Sequence, residues 1–110
     1  MSALYVMRYS GQASAGAGCI YVGKGIVSGV DAFGGYYDGT YTPQAGRIQG
    51  VVQLTAPHGA TLVTGQHLPP GANLQLKIDW PQDFGNGTPQ SVSVSGRPVQ
   101  VSFQKLRDIP

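Results

Sequence analysis

The chain has 110 residues, with 7 Lys and Arg, 5 Asp and Glu, a formal charge of +2 and one cysteine. That length holds a single domain, residues 1–110. One cysteine excludes an internal disulfide and a four-cysteine metal site, and so small a charge marks neither a nucleic-acid nor a membrane partner. Charged residues make up only 11% and none is Glu, while 17 residues are Gly and 8 are Pro. Such a composition disfavours long helices and suits a β-rich domain.

In chain order, Arg8, Tyr9 and Ser10 stand where a signal peptide would need its apolar stretch, and no apolar run approaches the roughly 20 residues of a membrane span. The expectation is a cytoplasmic protein with a reduced Cys19. Period-two alternation, cut by Gly and Pro, predicts strands over residues 3–9, 17–23, 25–31, 36–42, 47–55, 73–80, 91–95 and 98–106. In the fifth, Ile48, Gly50, Val52 and Leu54 share a face, and in the sixth Leu74, Leu76, Ile78 and Trp80 oppose Gln75, Lys77 and Asp79. Turns fall at Gly34-Gly35, Pro43-Gln44-Ala45-Gly46 and Asn86-Gly87. The irregular stretch 57–71 has room for a short helical turn. Eight short strands at this spacing predict an all-β fold, a single small antiparallel β-barrel in preference to a sandwich. Eleven of the 17 glycines precede Thr55, which supplies the bends that closure needs.

Motifs for chemistry are weak. Gly18 to Lys24 has phosphate-loop spacing, but its middle residues alternate like a strand, no helix follows, and Gly25 replaces the Ser or Thr that would hold magnesium. Cys19, His58 and His67 match no common zinc spacing. Asp31 and Asp38 flank a Gly-rich turn and Asp79 and Asp83 bracket Trp80-Pro81, positions where Asp usually bonds its own backbone. The Lys and Arg residues are spread about one per strand, so no nucleic acid is expected. The reading is therefore not an enzyme, with no catalytic residue, metal or cofactor.

The densest unusual stretch is Tyr36-Tyr37-Asp38-Gly39-Thr40-Tyr41. Alternation sends Tyr37 and Tyr41 to one face and Tyr36 and Thr40 to the other. Tyrosine suits both interfaces and ligand cavities, because a polar tip ends a large apolar body. An eight-stranded barrel is either filled by its side chains or holds one small ligand. In the ligand-holding case, Tyr5, Tyr21, Tyr37, Tyr41 and Trp80 are the expected lining of a site for a small apolar ligand.

Leu4-Tyr5-Val6-Met7-Arg8-Tyr9, Gly25-Ile26-Val27-Ser28-Gly29-Val30-Asp31, Tyr36-Tyr37-Asp38-Gly39-Thr40-Tyr41, Gly46-Arg47-Ile48-Gln49-Gly50-Val51 and Leu74-Gln75-Leu76 together resemble the GrlR-like family, negative regulators of type III secretion and their uncharacterised relatives. The resemblance implies a lipocalin-like barrel, commonly a homodimer, that acts without chemistry by binding a protein such as a transcriptional activator. The regulators carry an acidic run in a loop that this chain fills with Thr42, Pro43, Gln44, Ala45, Gly46 and Arg47. Those six residues are the expected partner-binding site, with different contact chemistry.

Overall fold

The computed structural model describes residues 2–110. The chain is an antiparallel meander: β1 (Ser2–Ser10), β2 (Ala15–Gly23), β3 (Ile26–Asp31), β4 (Tyr36–Gln44) and β5 (Arg47–Ala56). Two-residue strands β6 (Ala60–Thr61) and β7 (His67–Leu68) pair only with each other. They are followed by β8 (Ala72–Pro81), β9 (Gln90–Val94) and β10 (Arg97–Asp108). The large sheet has the order β8-β5-β4-β3-β2-β1-β10-β9, and it curls until β9 lies beside β8. The result is an eight-stranded, nearly closed antiparallel barrel, with no helix among the described residues. All eight strands expected from alternation are present.

Three hairpins are tight two-residue turns with both central residues at positive φ: Lys24-Gly25, Ala45-Gly46 and Ser95-Gly96. This geometry matches the twist of the flanking strands. Alternation then buries one face of each strand. β1 turns Ala3, Tyr5 and Met7 inward, β5 turns in Ile48, Val52, Leu54 and Ala56, and β8 turns in Leu76, Ile78 and Trp80. Outside stand Gln49, Gln53, Gln75, Lys77, Ser91, Ser93 and Gln100. The interior is apolar, whereas the exterior mixes these polar side chains with exposed Ile26, Val30, Tyr36, Val51 and Leu106. No helix among the described residues is long and apolar enough to cross a membrane.

Some inward positions are Gly because neighbouring backbone occupies the space of a side chain. A Cβ at Gly39 would fall on the Val51 carbonyl oxygen, and one at Gly50 on that of Thr40. There the wall bends too sharply to admit even Ala.

The two ends of the barrel are closed differently. At the end holding both chain termini, the loop after β8 tucks Phe84 fully into the interior. The Phe84 ring centroid lies 4.8 Å from that of Tyr5, 5.5 Å from Trp80 and 5.3 Å from Phe103. Gly87 N–H donates to the Phe103 carbonyl (2.8 Å) and Lys105 N–H to the Gly85 carbonyl (3.0 Å), tying this loop to β10. The opposite end is covered by residues 57–71, where the β6–β7 hairpin replaces the helical turn the sequence allowed. Gly59, Gly65 and Gly71 all have positive φ and Pro69-Pro70 lacks two amide donors, so a helix cannot propagate. This cap turns Val63, Thr64 and Leu68 into the barrel. Ala13 and Ser14 N–H groups hold it by donating to the Val63 carbonyl at 2.8 and 3.2 Å.

Candidate functional site

Between the aromatic plug and the cap lies a cavity of about 100 Å³. Its walls are the inward faces of the strands, among them Met7, Ile20, Val27, Val52, Leu54, Leu76 and Ile78. Trp80 and Phe103 belong to its lining near the plug, and Leu62, Val63 and Leu68 at the cap. A water needs roughly 10–15 Å³ of such space, so the cavity exceeds a few waters. It falls below the roughly 300 Å³ at which drug-sized pockets begin. Phe33, 57% exposed, is also part of the lining, which sets the rim at the turn between β3 and β4.

One polar cluster interrupts this apolar lining. Alternation along β3 turns Val27, Gly29 and then Asp31 inward. The Asp31 Oδ1 atom accepts N–H bonds from Phe33 (2.9 Å) and Gly35 (2.8 Å), fixing the turn. Its Oδ2 atom accepts from the Tyr37 hydroxyl at 2.7 Å. Tyr9, inward on β1, lies beside both groups, its ring over Gly16, where any side chain would collide with it. Burial pushes the Tyr37 phenol well above its ordinary range, and the Asp31 bond and charge push it further. Burial and then the Asp31 charge do the same to Tyr9. Both hydroxyls thus keep their protons and remain donors at neutral pH. Asp31 is the only charged side chain in the lining, and no Lys, Arg or His among the described residues pairs with it.

The residues expected to line a ligand site divide into three groups. Tyr37 and Trp80 line the cavity. Tyr5 and Tyr41 are buried in the core without lining it, Tyr5 being stacked on Phe84. Tyr21 lies on the outer wall, because its neighbours Ile20 and Val22 take the inward positions, and its hydroxyl meets Ser2 Oγ at 2.7 Å. The expectation missed Tyr9, Asp31 and the cap. The signal for Asp31 was available, since it continues the inward series of Val27 and Gly29.

Thr42, Pro43, Gln44, Ala45, Gly46 and Arg47 form the exposed β4–β5 hairpin, at the plugged end and away from the cavity rim. Arg47 is not free there. Its Nε donates to Asp79 Oδ1 at 2.7 Å and its guanidinium also reaches the Asp79 carbonyl (2.8 Å). Asp79 therefore pairs across the sheet instead of bonding its own backbone, and the guanidinium holds its carboxyl below the usual range. Cys19 is half-buried on the outer wall, and His58 and His67 are exposed on the cap, where His67 Nδ1 meets Thr61 Oγ1 at 3.2 Å. Residues 18–24 are strand and hairpin turn, with no helix to receive a phosphate. Trp80 Nε1 is buried without an acceptor among the described residues, its ring centroid 4.7 Å from that of Phe103.

No protein-family model and no curated protein matches this sequence.

Proposed function

We propose that this barrel is a non-enzymatic binding protein for a small, largely apolar ligand held between the plug and the cap. The observation that carries this reading is the cavity itself: about 100 Å³ inside a domain of only 110 residues, lined by aliphatic and aromatic side chains. Unfilled apolar space costs a domain roughly 24 cal/mol per Å³, so a protein that keeps a cavity gives up stability for it. Engineered apolar cavities of comparable size, about 150 Å³, stay dry and take up benzene.

Toluene titrated into the 15N-labelled protein is expected to shift the amides of Met7, Val27 and Leu76 in a saturable manner. Val52→Phe, which fills the cavity from β5, is expected to abolish those shifts while keeping the fold. Shifts that never saturate, or that persist unchanged in Val52→Phe, refute the reading.

A second reading, binding of a protein partner, follows from the GrlR-like resemblance and draws support from the outer wall. There Val30 and Tyr36 are paired across β3 and β4 and are 52% and 53% exposed. Cys19 neighbours Val30 on β2, and Ile26 and Val51 are exposed on the same wall. In this reading the chain acts as a homodimeric regulator through its surface, with an activator-like protein at the hairpin of Thr42 to Arg47. Native mass spectrometry separates the two: a dimer lost in Val30→Lys/Tyr36→Lys supports surface contact, and a monomer removes the homodimer.

A further inference from the structure

The cavity has a polarity that narrows its ligand, given the small-ligand reading above. Asp31 is the one acidic or basic residue among the described lining, and it sits at the capped end without a cationic partner among the described residues. A carboxylate offers about four acceptor positions. The N–H groups of Phe33 and Gly35 and the Tyr37 hydroxyl use three of them. The Tyr37 hydroxyl is bonded to this carboxylate and the Tyr9 hydroxyl lies beside it, so the acidic group is framed by polar tips. A carboxylate-bearing ligand would meet like charge, with no Lys or Arg in the lining to receive it.

We propose that the cavity binds a compact amine, with one ring or a short branched chain seated among Val27, Val52, Leu54 and Leu76 and its ammonium on Asp31 between Tyr9 and Tyr37. The small volume limits the apolar body to about the size of a single ring. A charged donor on a carboxylate is worth more than a neutral one, enough for about a tenfold preference or greater.

The test is a matched series on the wild-type protein by calorimetry or ligand-observed NMR: benzylamine, benzyl alcohol, benzoate and toluene. Benzylamine is expected to bind at least about tenfold tighter than benzyl alcohol, with benzoate the weakest of the four. Asp31→Asn keeps an acceptor for the turn amides and is expected to erase the amine preference while toluene still binds. Equal affinity for amine and alcohol, or a preference that survives Asp31→Asn, overturns the proposal but leaves the apolar site standing. Failure of all four compounds overturns both. Because the wild-type series alone is decisive, poor folding of Asp31→Asn would not rescue the proposal.

Discussion

Replacing Tyr37 by Phe removes one oxygen and isolates the contact that organises the cavity's polar end. The hydroxyl donates to Asp31 Oδ2 at 2.7 Å. A hydrogen bond to a charged group contributes about 1.5–3 kcal/mol, and because Asp31 is only half-buried the lower end applies, about 1.5 kcal/mol at pH 7. The pH dependence is more diagnostic. In the folded protein the Tyr37 phenol is held well above its ordinary value of 10.0, by burial first and by Asp31 second. Its contribution is therefore complete below pH 10 and lost as pH rises from there towards the folded value. Over that window the unfolded chain has released a proton that the folded chain retains, so stability falls by about 1.4 kcal/mol per pH unit, or about 2 kcal/mol by pH 11.5. Tyr37→Phe lacks this loss. Urea unfolding followed by fluorescence of Trp80, the sole tryptophan, gives both curves. The wild-type advantage seen at pH 7 should close or reverse by pH 11.5. A constant gap from pH 9 to 11.5 would mean that the phenol ionises as readily folded as unfolded, and the buried Tyr37–Asp31 contact would be refuted.

Three further substitutions probe the scaffold. Phe84→Ala empties the plug beneath Tyr5, Trp80 and Phe103 and should cost about 3–5 kcal/mol in urea unfolding, where a loss under about 1 kcal/mol would show the plug to be dispensable. Gly50→Ala places a methyl on the Thr40 carbonyl oxygen and should cost about 3 kcal/mol or more, whereas Gly46→Ala, at φ 80° with open space around it, should cost about 1–2 kcal/mol; the same comparison of midpoints tests both, and equal losses would contradict the tight bend at Gly50.

The barrel was legible in the sequence because one physical rule, alternation against a single buried face, operates along eight consecutive segments. The β8 series Leu76, Ile78 and Trp80 shows it most plainly. The same rule put Tyr37 and Tyr41 on one face and Tyr36 on the other, and the structure shows the first face to be the inner one. It fails where burial is not periodic. Phe84 sits in a loop of Gly, Asn and Asp, and nothing local marks it as the residue that fills one end of the barrel. In the cap, Val63 and Thr64 are adjacent and both buried, which neither a strand nor a helix pattern signals. The polar cluster is a matter of register. Tyr9, Asp31 and Tyr37 lie on three strands, and only the pairing of β2 with β1 and β3 brings them together. Asp79 was misread because its partner, Arg47, is 32 residues away and becomes its neighbour only through the β5–β8 pairing.

The unequal ends of the barrel suggest how a ligand could enter without unfolding the protein. The plugged end is held by four mutually packed aromatic rings, and such apolar burial is surrendered only when the whole barrel opens. The capped end is held by two backbone bonds to the Val63 carbonyl, by those of Gly59 and Gly71 to the Ala56 carbonyl, by the long Arg97 contact to the Thr64 carbonyl (3.4 Å), and by the Val63, Thr64 and Leu68 side chains. Local opening takes the route with least apolar burial, so the cap yields first. Asp31, Tyr9 and Tyr37 stand at that same end, where an entering ammonium would meet them before its apolar body reached Trp80. On the proposed ligand-binding reading, the site's one acidic group lies on the entry path, and burial against the apolar floor would hold the ligand once it is inside.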